Sequence, residues 1–145
     1  DATLIRTDVV RKDLVDDPEY TTDETERVYA TVRERARETV ADGGRAVLDG
    51  TYRQRTFRED VAETADALGV DCVFVHVECD EDVVRERIAQ RTDGVSDATF
   101  QNHLELKSEF DAFQRHHITI DNSGAWERTR EQLSGAFPVT DTARR

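Results

Sequence analysis

Apolar residues in this chain form two patterns that alternate along the sequence. Short continuous apolar runs at 2–6, 46–49, 70–77 and 117–121 each predict a β-strand. Between the runs, apolar residues recur every three or four positions, which predicts helices that begin near Val9, Thr21, Thr56, Asp80, Asp97 and Ala125. Strands that alternate with helices indicate a parallel sheet and an α/β fold.

Several helix ends carry recognisable capping signals. Thr21 is followed three residues later by Glu24, and Thr56 by Glu59, so each pair predicts a capping box at the start of a helix. The 43–44 glycine pair and Gly69 predict helix ends. The polar segment at 92–97 predicts a mobile loop, and residues 139–145 predict a frayed tail.

Carboxylates stand at the ends of three predicted strands. Asp8, Asp49 and Asp121 each follow an apolar run, and Thr51 lies two residues beyond Asp49. Ligands of open α/β sheets bind at the carboxyl ends of the strands, so we expect Asp8 and Asp49 to converge at one edge. Such carboxylates suit a metal ion or a polar substrate. The alternative for Asp49 is a turn, because Asp-Gly is an ordinary turn dipeptide.

Charge restricts the partners of this protein. The 145 residues suit one domain with a buried core, and 20 Lys and Arg against 32 Asp and Glu give a net charge of −12. An acidic surface repels phosphates, which disfavours nucleic acid and membrane surfaces as partners. Only Lys12 and Lys107 are lysines, a composition typical of halophilic proteins, whose charges are screened at molar salt.

Cysteine usage and hydropathy indicate the compartment. Cys72 and Cys79 are the only cysteines, and their spacing fits no zinc-binding pattern. The sequence shows neither a secretory signal nor a transmembrane segment. We therefore predict a reduced, cytoplasmic protein.

Four segments together resemble small P-loop kinases of the AAA group, the polynucleotide-kinase-like and zeta-toxin-like proteins. These segments are IRTDVVRK at 5–12, VLDGTY at 47–52, VRERIAQR at 84–91 and VSDA at 95–98. The ATP-binding half that is fused to aminoglycoside-phosphotransferase-like domains is similar too. The resemblance implies a three-layer P-loop NTPase fold of the nucleotide-kinase type, with strand order 2-3-1-4-5. It also implies a kinase-like domain over 1–138 with a lid segment at about 85–97.

The phosphate-binding loop of that group is not found in this sequence. Such kinases begin with a strand and Gly-x-x-x-x-Gly-Lys-Ser/Thr, whose amides and lysine hold the phosphates. This chain has no glycine followed by lysine. Loss of a central strand would expose two unpaired edges, so we expect the domain to be N-terminally incomplete by about 25–30 residues.

The resemblance implies an ATP- and Mg²⁺-dependent kinase in which Asp8 accepts a proton from a substrate hydroxyl. Asp8 could also cap the helix that begins at Val9, which would not exclude its role as a base. Arg11 would bind a phosphate or carboxylate of the substrate, and Asp49 would order a magnesium water or hold Arg11. Arg87 and Arg91, spaced i,i+4, would form an arginine lid over the phosphates. A solvated surface pair is the alternative for these two arginines.

Further candidate contacts follow two strand ends. Thr51, Arg53 and Arg55 lie just after the strand at 46–49 and are candidates for substrate binding. Asn122 and Ser123 follow the last strand and, by the resemblance, would flank the adenine. An Asn-Ser-Gly sequence is also an ordinary turn.

Two classes of function remain open from the sequence. The first is a kinase that phosphorylates a small hydroxylated molecule; a nucleic-acid 5′-hydroxyl is a less favoured acceptor because the chain lacks a basic groove. The second is a non-catalytic nucleotide-sensing or interaction domain that has lost the phosphate loop. A Gly-Lys-Ser/Thr sequence encoded upstream of Asp1 would favour the kinase.

Overall fold

A computed structural model describes residues 1–92 and 96–138. The elements in chain order are β1 (Thr3–Arg6), α1 (Thr7–Leu14), α2 (Thr22–Ala41), β2 (Ala46–Asp49), α3 (Arg55–Leu68), β3 (Val75–Glu78), α4 (Glu81–Thr92), α5 (Ser96–Ser108), β4 (Ile118–Asp121) and α6 (Trp126–Ala136). Parallel ladders join β1 to β2 and β3 to β4. The predicted α/β class with parallel strands is confirmed.

The chain divides into two compact units, Asp1–Cys72 and Val73–Arg145. The predicted tail at 139–145 and the centre of the predicted lid, residues 93–95, lie outside the described residues. No helix among residues 1–92 and 96–138 is long and apolar enough to cross a membrane.

The core of the first unit lies between the β1–β2 sheet and the two helices α1 and α2. Its buried members come from β1, α1 and α2, and its partly buried members include two β2 residues: Ile5, Val10, Val28 and Val32, with Leu14, Ala36, Ala46 and Leu48 packed against them. Each fully buried aliphatic side chain contributes about 1.5–3 kcal/mol to folding. Leu4 and Val47, paired in register on the other face of the sheet, are 59% and 51% exposed.

Helix α2 starts where the sequence predicts. Thr21 is the N-cap, and its hydroxyl accepts a hydrogen bond from the Glu24 N–H at 3.2 Å. The carboxylate of Glu24 bonds the N–H groups of Glu19 and Tyr20, whereas a capping box would direct it to the N-cap N–H. Glu24 therefore holds the loop that precedes α2. The helix ends before Gly43, whose φ of +85° suits glycine.

Helix α3 starts differently from the prediction. The Thr56–Glu59 pair predicted a capping box, but the helix begins at Arg55, and its N-cap Gln54 makes no side-chain capping bond. The predicted capping box is therefore wrong, because Thr56 already lies inside the first turn. The predicted end at Gly69 is confirmed, with that residue in the left-handed conformation at φ +68°.

The second unit is built on the parallel β3–β4 pair, in which Val77 lies opposite Ile120. Strand β3 is shorter than the predicted run at 70–77, because residues 70–74 lie outside the strand. Val73 is 53% exposed, whereas Ile120 is 2% exposed. The apolar pattern alone could not show which part of the run has a hydrogen-bonding partner.

Candidate active site

Two acidic side chains meet at the carboxyl edge of the β1–β2 sheet. Arg6, the last residue of β1, lies in register with Asp49, the last residue of β2. Nη2 of Arg6 donates to Asp8 Oδ2 at 2.9 Å, and Nε of Arg6 lies 3.5 Å from Asp49 Oδ2. One guanidinium thus holds both predicted carboxylates at the same edge.

Asp8 belongs to the first turn of α1 and is not its N-cap. The N-cap position is Arg6, which makes no side-chain capping bond. The Val9 N–H donates to Asp8 Oδ1 at 2.9 Å, and an acidic group in the first turn interacts favourably with the helix dipole. The Asp8 side chain is 55% exposed, so a substrate has access to its carboxylate.

Gly50 brings the loop after β2 against the start of α1. A Cβ atom at Gly50 would lie only 2.6 Å from Cγ2 of Thr7 and 3.0 Å from its hydroxyl oxygen. The short β-branched side chain of Thr7 has little freedom to move away. Glycine at this position therefore lets the Asp49–Thr51 segment approach the residue that precedes Asp8.

Tyr29 of α2 organises the loop that carries Thr51. Its hydroxyl lies 3.1 Å from Thr51 Oγ1 and accepts a hydrogen bond from the Tyr52 N–H at 3.2 Å. Its ring stacks on Phe57 with 4.2 Å between centroids and meets the Tyr52 ring edge-on at 4.8 Å. The buried Arg58 donates from Nη1 to the Tyr52 carbonyl at 2.7 Å. The backbone around Thr51 is consequently held from within the unit.

Tyr52 adopts an unfavourable conformation within this loop. Its φ of +42° falls in the left-handed region, which a bulky residue rarely adopts. Its hydroxyl is buried and has no hydrogen-bond partner in the part of the chain that the structure describes. Burial raises the pKa of Tyr52 far above its ordinary value; Tyr29 adds to this rise, and Arg33 opposes it.

Arg11, a predicted substrate contact, is engaged by side chains of its own unit. Its guanidinium pairs with the Glu24 carboxylate, lies 3.4 Å from Thr25 Oγ1, and is 4.5 Å from the centroid of the Tyr20 ring. Burial raises the pKa of Glu24, but the N–H groups of Glu19 and Tyr20 and the Arg11 guanidinium lower it further, so that it lies below its ordinary value. These contacts favour a structural role for Arg11.

The two other predicted arginines of the first unit lie where α3 begins. Arg53 is half-buried, and its carbonyl accepts a hydrogen bond from Nη1 of Arg58 at 3.3 Å. Arg55 is exposed and is the first residue of α3. Both follow the carboxyl end of β2, as the sequence predicts, and their contact with a substrate stays a prediction.

In the second unit the predicted arginine pair is divided between two environments. Arg87 donates from Nη1 to the Asn122 carbonyl at 2.6 Å and from Nη2 to the Gly124 carbonyl at 3.1 Å. Arg87 therefore joins α4 to the turn after β4. Arg91 lies in the last turn of α4 and is exposed.

The turn after β4 is held by its own polar side chains. The Ser123 N–H donates to Asp121 Oδ1 at 2.9 Å, and Ser123 Oγ accepts from the Asp80 N–H at 2.8 Å. The Thr129 hydroxyl donates to Asn122 Oδ1 at 2.9 Å. Hydrogen bonds from the Ser123 hydroxyl and N–H lower the pKa of Asp121. Contact of Asn122 and Ser123 with an adenine stays a prediction.

The acidic edge supplies few ligands for a metal ion. Across residues 1–92 and 96–138, no three His, Cys, Asp or Glu side chains are grouped so as to hold one. Asp8 and Asp49 provide two carboxylates, both of which pair with the guanidinium of Arg6. Mg²⁺ is commonly bound by one or two carboxylates together with substrate phosphates, so the pair fits magnesium that arrives with a nucleotide. Arg6 would compete with the ion for the same oxygens.

Sequence reasoning missed Arg6, Tyr52 and Arg58. The sequence did contain a signal for Arg6. When the two predicted strands are aligned in parallel, Arg6 at the end of the first lies beside Asp49 at the end of the second. No periodicity or motif marks Arg58 or the strain at Tyr52. Their positions depend on how the loop after β2 packs on α2 and α3.

Comparisons with known proteins agree on the kind of fold. A family model described as an AAA domain matches residues 1–113. The structure is similar to that of a gluconokinase from Sinorhizobium meliloti 1021, with a TM-score of 0.65 and 21% sequence identity over 91% of this chain and 75% of that chain. No curated protein matches the sequence at a significant level. The chain has the α/β fold of P-loop kinases.

Proposed function

Because this chain belongs to the AAA-domain family whose model matches residues 1–113, we propose that it is an ATP-dependent phosphotransferase acting on a hydroxyl of a small molecule. Family membership gives a kinase-like, nucleotide-binding fold, and the proposal adds the reaction. Its main support is the convergence of Asp8 and Asp49 on Arg6 at the carboxyl edge of the sheet.

Asp8 is the proposed general base. The acceptor oxygen attacks the γ-phosphorus of ATP, the bond from that phosphorus to the bridging oxygen breaks, ADP leaves, and the acceptor proton passes to Asp8. The hydrogen bonds from Arg6 and from the Val9 N–H fix the orientation of the Asp8 carboxylate. Its exposure leaves room for the acceptor.

Asp49 is the proposed magnesium residue. Bound magnesium would neutralise charge on the β- and γ-phosphates. Asp49 would hold the ion directly or through a water, while Arg6 keeps Asp8 next to it. Thr51, Arg53 and Arg55, which follow β2 along the chain, are the proposed contacts to the acceptor.

Arg91 is the proposed phosphate-binding residue of the lid. Its exposed guanidinium is available to an anion, whereas Arg87 positions α4 through the Asn122 and Gly124 carbonyls. We propose that Asn122 and Ser123 border the adenine site. ATP, with Mg²⁺, is the proposed cofactor.

The acceptor that we propose is a small polyhydroxy compound. The similar structure is named as a gluconokinase, which makes D-gluconate the first compound to test. A nucleic-acid 5′-hydroxyl is disfavoured by the net charge of −12.

Transfer of labelled γ-phosphate from ATP by the intact protein tests the proposal. The acceptor panel contains D-gluconate, D-glucose, glycerol and an oligonucleotide with a free 5′-hydroxyl, and EDTA provides the metal-free control. We expect a labelled small-molecule product that EDTA abolishes. ATP binding without transfer to any acceptor would instead support a non-catalytic nucleotide-sensing domain.

A further inference from the structure

Tyr52 carries two energetic costs at once. A bulky residue at φ +42° is strained, and a buried hydroxyl without a hydrogen-bond partner among the described residues loses the bonds that it would make to water. A phenylalanine would keep the ring contact with Tyr29 and avoid the second cost. Costs of this kind, concentrated in one residue, are characteristic of functional sites.

We infer that Tyr52 is a substrate-binding residue, whose hydroxyl bonds a hydroxyl group of the acceptor after its side chain turns out of the interior. This inference rests on the proposed phosphotransferase function. In the structure the phenol is turned inward, where burial already disfavours its ionised form. Rotation of the side chain about its Cα–Cβ bond would release the buried hydroxyl and leave the hydrogen bonds of the Tyr52 N–H and carbonyl in place.

The position of Tyr52 supports this role. It directly follows Thr51, in the loop that Gly50 brings against Thr7, the residue before Asp8. The hydrogen bonds from its N–H to Tyr29 and from Arg58 to its carbonyl hold the backbone of the loop, while its own hydroxyl contributes nothing to that framework. The hydroxyl can therefore bind a ligand while the loop keeps its conformation.

Tyr29 provides a matched control for the deletion of one oxygen atom. The two rings are in contact, at 4.8 Å between centroids, but the Tyr29 hydroxyl bonds Thr51 and the Tyr52 N–H, whereas the Tyr52 hydroxyl bonds none of the described residues. Tyr52→Phe should therefore raise the melting temperature, by about 3 °C, and Tyr29→Phe should lower it.

The test combines this pair of melting temperatures with steady-state kinetics of the intact protein. The kinetic probe is D-gluconate or, if D-gluconate is not phosphorylated, whichever panel compound is. We expect Tyr52→Phe to raise the KM for that acceptor by about tenfold, the effect of one lost hydrogen bond, with the KM for ATP unchanged.

The outcomes separate this inference from the proposed function. A lower melting temperature for Tyr52→Phe overturns the inference, because the hydroxyl would then stabilise the folded state. A higher melting temperature with an unchanged acceptor KM also overturns it, in an enzyme that is still active. Absence of phosphotransfer by the unmodified protein overturns the proposed function itself, and the inference with it.

Discussion

Arg6 and Arg11 lie on the same short segment and both pair with carboxylates, yet their surroundings are opposite. The side chains of Arg6, Asp8 and Asp49 are 48%, 55% and 61% exposed, whereas those of Arg11 and Glu24 are 10% and 9% exposed. Exposed ion pairs add little to stability, but breaking a buried pair leaves a charge without compensation. We therefore expect the exposed group of Arg6, Asp8 and Asp49, the outer cluster, to be available for chemistry. We expect the buried pair of Arg11 and Glu24, the inner cluster, to stabilise the fold.

The largest expected effect comes from the outer cluster. Asp8→Asn should lower kcat by ~10²–10⁴, because the amide cannot accept the proton, while the KM for ATP and the melting temperature change little. The control is Asp13→Asn, on the same helix, where Asp13 pairs with Arg35 at 3.1 Å. Full turnover by Asp8→Asn would show that the outer cluster does not supply the general base.

The inner cluster should show the converse behaviour. Glu24→Gln leaves the Arg11 charge buried without its partner, so the melting temperature should fall markedly, while kcat of the folded fraction is retained. Glu34→Gln on the same helix removes an exposed ion pair with Arg37 and serves as the control. Equal melting temperatures for the two variants would show that the buried pair is not a stabilising element.

The acid stability of the protein should depend on Glu24 as well. Its pKa is lowered in the folded state, so its contribution to stability is complete above the ordinary value of 4.5 and is lost as the pH falls through the folded-state pKa. The difference in melting temperature between the unmodified protein and Glu24→Gln should stay constant near neutral pH and shrink below pH 4.5. A difference that grows in acid would contradict this sign.

The smallest expected change in stability belongs to Arg6→Ala. An exposed ion pair contributes less than about 1 kcal/mol, so the free energy of unfolding should change little in dilute buffer. Any difference should vanish in 1 M KCl, where the Debye length is about 3 Å. Urea unfolding at the two salt concentrations measures both quantities, and a loss comparable to that of Glu24→Gln would refute the contrast.

The sequence predicted those features that depend on local pattern. Alternating apolar runs located the strands, and the Thr21 capping residue located the start of α2, because both signals lie within a few neighbouring residues. Asp8, which follows β1, and Asp49, at the end of β2, were predicted to converge because parallel strands align their carboxyl ends.

Features that depend on tertiary packing could not be predicted from the sequence. Glu24 was predicted to complete a capping box, but its carboxylate pairs with Arg11 of α1 and accepts hydrogen bonds from the N–H groups of Glu19 and Tyr20 in the preceding loop. The run at 70–74 is rich in residues that favour strands, yet among the described residues only its last member, Phe74, reaches β4, through a hydrogen bond from the Ile118 N–H to its carbonyl at 2.8 Å. The strain at Tyr52 is set by contacts with Tyr29 and Arg58, which lie on two different helices.

The contact between Gly50 and Thr7 couples the evolution of two positions that perform no chemistry. A side chain at position 50 would need the space that the Thr7 methyl group fills, 2.6 Å from the ideal Cβ position. An alanine at 50 becomes compatible with the fold only if residue 7 first loses its branch. Relatives with a branched residue at position 7 should therefore keep glycine at position 50, although that glycine contributes no functional atom.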